Sequence, residues 1–193
     1  MTPTLPTWIA AGVLLFWTVG AYNRLVRLRG EANAAFGALE AELGRQVQLV
    51  EQLMAGEEPP ASIFGGTEHS FWGGLQGAAS QLGASLAQAR HRPLDPERID
   101  ALAAAQSVLA VAWERAERDD AHDLAGPRLP ETLTATRAQI TLHCIAAADR
   151  FSRAVEQYNA AIAQFPAVLL AWLFGFRPGR GLPALQAPKG PAV

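Results

Sequence analysis

The chain has 193 residues, half of them hydrophobic, a formal net charge of −2 and a single cysteine, Cys144. That length suits one domain with a short accessory segment. The charge provides no basic face of the kind nucleic acid requires, and a lone cysteine excludes an internal disulfide framework.

Residues 5–54 organise the rest. From Leu5 to Tyr22 the chain is apolar and uncharged, and from Arg24 it becomes amphipathic, with no proline between the two parts. This predicts one continuous helix, greasy first and striped second. The apolar part would rise about 30 Å by Leu25, roughly the hydrocarbon thickness of a bilayer. Trp8, Trp17 and Tyr22 are placed as interfacial rings, and Arg24, Arg27 and Arg29 follow at once. The rule that cationic flanks stay in the cytoplasm then puts the N-terminus outside and the main domain inside. A cleaved signal peptide is the competing reading, since Val19, Gly20 and Ala21 resemble a cleavage site. It lacks the positive leading segment such peptides carry, and the helical pattern runs through the would-be cut.

The striped part carries Leu25, Leu28, Ala32, Phe36, Leu39, Leu43, Val47, Val50 and Met54 at steps of three, four and four. Each set recurs after eleven residues, or about 3.67 per turn, so the seam runs almost straight with a slight right-handed drift. Residues 56–70, with paired glycines and prolines, read as a loop. Phe64, Phe71 and Trp72 near it are apolar enough to fold back on a bundle end. A second helix is expected over 68–90, striped by Phe71, Leu75, Ala78, Leu82, Leu86 and Ala89. A third starts at Asp95, Pro96 and Glu97, a capping carboxylate followed by proline at the first helical position. Its stripe is Ile99, Leu102, Ala105, Leu109, Ala112 and Ala116, with Trp113 beside it, and 119–129 read as a polar loop. A fourth is expected from 130 to 165, striped by Leu133, Ile140, Cys144, Ala147, Phe151, Ala154, Tyr158, Ile162 and Phe165, and ended or kinked at Pro166. Four helices with shortish connections make an antiparallel up-down bundle, and an even count returns the chain to its membrane end. The apolar stretch 167–176 is too short to span. Phe165, Leu169, Trp172, Leu173, Phe174 and Phe176 are placed at the bundle base, against either the inner leaflet or the core alone.

Two separated segments resemble one family. The first holds Tyr22, Asn23, Arg24, Leu25, Arg27 and Arg29. The second holds Tyr158, Asn159, Ala161, Ile162, Phe165 and Pro166, then Leu173, Phe174, Gly175, Phe176 and Pro178. Both are similar to LemA-family proteins, in the right order, while the middle of the chain departs from that pattern. The resemblance implies a bacterial single-pass membrane protein whose antiparallel bundle lies in the cytoplasm. It implies no established catalytic activity, and one branch of the family resembles proteins that organise internal membranes.

Nothing in the residues announces a reaction. His143 and Cys144 are adjacent, so on a helix they diverge by about 100°. Asp119, His122 and Asp123 sit together on a polar loop, where a solvated turn is the ordinary reading and a metal the exceptional one. No Glu precedes a His by three, as paired di-iron motifs require. Tyr158 and Asn159 fall on or beside the stripe and are read as a structural hydrogen-bonding pair or an oligomer contact.

The expectation is therefore an all-α protein: a tail and transmembrane helix over 1–23, a LemA-like bundle over 24–176 and a flexible tail over 177–193. It is expected to be no enzyme, to need no cofactor or metal, and to act as a coiled-coil-like scaffold. Its partners would be the lipid bilayer of the bacterial inner membrane and further copies or other membrane proteins. The alternative is a cytoplasm-facing binding or sensor module with a pocket between helices near Trp72, Trp113 and Tyr158.

Overall fold

The computed structural model describes residues 5–56, 68–121, 131–165, 167–183 and 185; for 5–7, 10, 11, 56, 68–72, 119–121 and 131 it describes the backbone alone. Five helices follow in order: α1 (Leu5–Gly56), α2 (Glu68–His91), α3 (Pro96–Ala121), α4 (Glu131–Ala163) and α5 (Ala167–Phe174). The loops expected at 56–70 and 119–129 are helical at 56, 68–70 and 119–121, because α1, α2 and α3 extend into them; the rest of both loops, the fold-back of Phe64, Phe71 and Trp72, and the kink at Pro166 lie outside the described residues or side chains.

Side-chain pairings fix the topology. Between α1 and α4, Arg24 reaches Gln164, Phe36 meets Phe151 and Glu42 faces His143, so rising numbers on one helix meet falling numbers on the other. Between α1 and α2, Glu40 pairs with Arg90. Helix α3 runs with α1, and Gln106 of α3 donates to Gln46 of α1 across the bundle. The architecture is an all-helical, antiparallel up-down bundle.

The periodic stripes become the core. Leu25, Leu28, Ala32, Phe36, Leu39, Leu43 and Val50 of α1 are buried, as are Leu75, Leu82, Ile99, Leu102, Leu109, Cys144, Phe151 and Tyr158 on the other helices. Val47, Met54, Ala112, Leu133, Ile140 and Ala154 are partly buried against that core. Phe165, expected on the α4 stripe, is instead 74% exposed, because α4 ends at Ala163 and the chain turns before it. At the start of α3, an Asp95 carboxylate oxygen accepts from the Glu97 N–H at 3.2 Å, the cap its sequence predicts. At the end of α5, Gly175 takes φ +70° and the Phe176 N–H donates to the Ala171 carbonyl at 2.9 Å. This closes the helix with a left-handed glycine, which a side chain there would strain.

Helix α1 is continuous, as expected, and its first turns project beyond the bundle. Among the described residues, however, no helix is long and apolar enough to cross a membrane.

The last segment departs most from its expected form. Residues 177–183, expected as part of a flexible tail, run back along the bundle as a strap. The Tyr158 hydroxyl donates to the Arg177 carbonyl at 3.0 Å, and Asn159 holds both backbone groups of Gly179, each at 2.8 Å. The Ser152 hydroxyl donates to the Leu182 carbonyl at 2.8 Å, and Leu182 is buried in the core. Arg180 pairs with Asp100 of α3 at 3.0 Å. The strap fits because α3 and α4 make no Cα approach within 8 Å of one another, leaving a seam for it.

Candidate functional site

The most unusual surface lies where α1 enters the bundle and α5 closes it. In α5 only Ala167, Leu170 and Ala171 face inward. Leu169, Leu173 and Phe174 are more than half exposed and Trp172 is 84% exposed. The projecting part of α1 likewise exposes Trp8, Ile9, Val13, Leu14, Leu15, Phe16, Trp17 and Val19. Ring contacts join the two: Trp17 lies 6.1 Å from Phe165, and Tyr22 lies 5.0 Å from Phe174 and 6.1 Å from Phe176, between centroids. The result is one apolar surface, far larger than the isolated patches a monomer in water ordinarily shows. Arg24, Arg27 and Arg29 ring its bundle side. Arg24 donates to Gln164, Arg27 pairs with Glu31, and Arg29 lies over the Phe176 ring at 5.8 Å.

The structure therefore brings together the predicted anchor residues, Trp17, Tyr22, Arg24 and Arg29, with the predicted base residues, Phe165, Phe174 and Phe176. Capping the core occupies only the small inner face of α5 and leaves its large side chains outward. Tyr158 and Asn159 are spent within the chain, as the hooks that hold the strap. Burial pushes the Tyr158 phenol above its ordinary pKa, with Arg29 acting the other way.

A second feature is a cavity of about 370 Å³ between α1, α3 and α4, partly covered by Pro183 and Leu185 of the strap. Its polar lining is Gln46, Gln106, Ser107, Glu114, Arg137 and Thr141. Arg137 pairs with Glu117 and lies 5.1 Å over the Trp113 ring. The Gln106 side chain donates to Gln46 at 2.8 Å, while its own Oε1, buried, has no hydrogen-bond partner. Trp113 belongs to this cavity but Tyr158 lines a different cleft at the base, so the pocket expected between Trp72, Trp113 and Tyr158 does not form as one site; the Trp72 side chain is outside the described residues.

Cys144 is not placed to act as a nucleophile. Cys144 is fully buried, and burial, reinforced by Glu42, pushes its thiol up to about 12, so the thiolate is not accessible near neutral pH. Among the described residues no group of three or more His, Cys, Asp or Glu is placed to hold a metal, and the Asp119 side chain, His122 and Asp123 lie outside them.

Sequence reasoning missed the strap and the cavity. Asn159 followed twenty residues later by Gly179, with Gly181 just beyond, was the available signal for the strap, since glycines admit close backbone approach. The glutamines Gln46 and Gln106 look like ordinary surface residues in one dimension, and nothing marks them. No family model, curated protein or solved structure matches the chain.

Proposed function

We propose that this protein is a non-enzymatic, membrane-anchored helical scaffold. The projecting part of α1 enters the bilayer as a single pass, and α5 rests on the inner leaflet beside it. The single observation that carries this reading is the joined apolar surface of α1 and α5. Withdrawing one large apolar side chain from water is worth roughly 1.5–3 kcal/mol, so eight such residues on α1 alone represent on the order of 10 kcal/mol or more. Lipid is the natural cover for a rod followed by a flat apolar foot ringed by arginines. From Leu5, where α1 begins, to Leu25 the helix rises about 30 Å, roughly the hydrocarbon thickness. The resemblance of both ends of the chain to LemA-family proteins points the same way, to a bacterial inner-membrane protein with its bundle in the cytoplasm. Assembly with further copies or other membrane proteins is the scaffolding role that follows.

A topology reporter fused after Val193 tests this. The wild-type chain should fractionate with membranes and report a cytoplasmic C-terminus. Substituting Arg24, Arg27 and Arg29 together by glutamate should invert or scramble that orientation. A chain recovered in the aqueous fraction, or an orientation indifferent to the three substitutions, would refute the assignment.

The binding-module reading keeps one specific observation, the unpartnered Gln106 amide. Exchanging the oxygen and nitrogen of that amide pair only moves the unpaired group from acceptor to donor. A small aromatic bearing a hydroxyl or amide would satisfy it only by entering the cavity and shifting the Gln106 side chain to uncover that buried oxygen. Benzamide and phenol at millimolar concentration should then raise the midpoint of thermal unfolding of the wild type and not of Gln106→Leu. Equal shifts in both proteins would remove this reading.

A further inference from the structure

Several described arginines sit against a carboxylate, as Arg90 does on Glu40 and Arg180 on Asp100. Among the described residues Arg29, Arg92 and Arg177 have no carboxylate partner, and all three line one open cleft of about 960 Å³. The cleft is assembled from four separate parts of the chain: Arg29 and Asn33 on α1, the α2–α3 turn with Arg92, Tyr158 on α4, and Gly175, Arg177 and Pro178 after α5. Its carboxylates do not cancel the three cations. Asp95 is already committed, accepting from the Glu97 N–H and facing Arg98 at 3.7 Å, which leaves exposed Glu97. His91 adds a further nitrogen base to the lining. The cleft also borders the apolar foot, because Arg29 lies over Phe176, whose ring in turn meets Tyr22.

Three guanidinium groups held at one concave site match a phosphate, for which planar, fork-shaped donors are suited. An apolar surface immediately beside it matches acyl chains. We infer that this cleft binds the headgroup phosphate of an anionic phospholipid, with Arg29, Arg92 and Arg177 on the phosphate and the acyl chains lying along the exposed face of α5. The inference rests on the membrane reading above. It adds a lipid class to it and two residues, Arg92 and Arg177, far in sequence from the anchor. Their placement at the membrane end follows from topology: the α2–α3 turn and the end of α5 both return to where α1 enters.

Titration of the full chain in a non-ionic detergent separates the possibilities. The probes are dihexanoyl phosphatidylglycerol, dihexanoyl phosphatidylcholine and inorganic phosphate, followed by the arginine side-chain resonances. Phosphatidylglycerol should bind more tightly than either of the others. The paired substitution R92Q with R177Q should weaken it by roughly tenfold or more, since a basic residue near an anionic surface contributes about fivefold. R150Q, on α4 away from the cleft, should leave it unchanged. Both sets of substitutions are at exposed positions, and an unaltered thermal unfolding midpoint verifies the fold. Equal binding of phosphatidylcholine, equal binding of inorganic phosphate, or indifference to the paired substitution would each overturn the inference. Flotation of the wild type with neutral phosphatidylcholine vesicles reports on the membrane reading separately. If flotation fails, that reading falls; if flotation succeeds without a phosphatidylglycerol preference, only the headgroup site falls.

Discussion

Gly181→Ala is expected to lower the unfolding free energy by about 2–4 kcal/mol, a large loss for one methyl group. A Cβ at Gly181 would stand 2.9 Å from the Ser152 hydroxyl oxygen and 3.0 Å from Ser152 Cα and Cβ. The Cα belongs to the α4 backbone and cannot turn aside, so the strap must lift. Lifting breaks the Ser152 hydrogen bond to Leu182 and draws Leu182 out of the core. Asn159→Ala attacks the same strap from its other end by removing both hydrogen bonds to Gly179. Its expected cost is about 1–3 kcal/mol, at roughly 0.5–1.5 for each bond. Because either change frees the same segment, the double variant should lose scarcely more than Gly181→Ala alone. Urea unfolding in mild detergent, read by tryptophan fluorescence, measures all three. Full additivity, or a loss below about 0.5 kcal/mol for Gly181→Ala, would mean that the strap does not hold the seam between α3 and α4.

The largest expected loss is in the middle of the bundle. Phe36 and Phe151 meet edge to face, with centroids 5.5 Å apart and planes at 68°, and both are almost fully buried. They join α1 to α4, the helix pair whose antiparallel register the whole bundle depends on. Phe151→Ala removes a full ring from a fully buried position and should cost about 3–5 kcal/mol. Phe165→Ala is the internal comparison. It removes the same ring from the same stretch of sequence, but at an exposed position, and should change stability by about 0.5 kcal/mol or less. In the scaffold reading its effect appears only in lipid. Similar losses in aqueous detergent for Phe151 and Phe165 would contradict the burial that separates them.

Much of this could be read in one dimension. The seam from Leu25 to Val50, the stripes of α2 and α3, and the capped start at Asp95 follow from local rules, and the structure reproduces them. Periodicity also placed Tyr158 inside and α5 at the base. It misplaced Phe165, because a stripe extrapolated along a helix continues past the point where the chain turns. It also missed Gln46 and Leu49, both buried, the first hydrogen-bonded to Gln106 of α3. The pairing of Gln46 with Gln106 spans sixty residues, and no local pattern carries that information.

What the chain settled alone was helicity, the inward stripe of each helix and the concentration of uncovered apolar residues at its two ends. Those properties depend on neighbours within a few turns, which hydrophobic spacing and capping chemistry report directly. Only the tertiary structure decided that residues 177–183 dock as a strap, that α3 and α4 stand apart to admit it, and that Arg29, Arg92 and Arg177 share one cleft. Those outcomes depend on which distant surfaces meet, and contacts between distant surfaces leave no periodic trace in the order of residues.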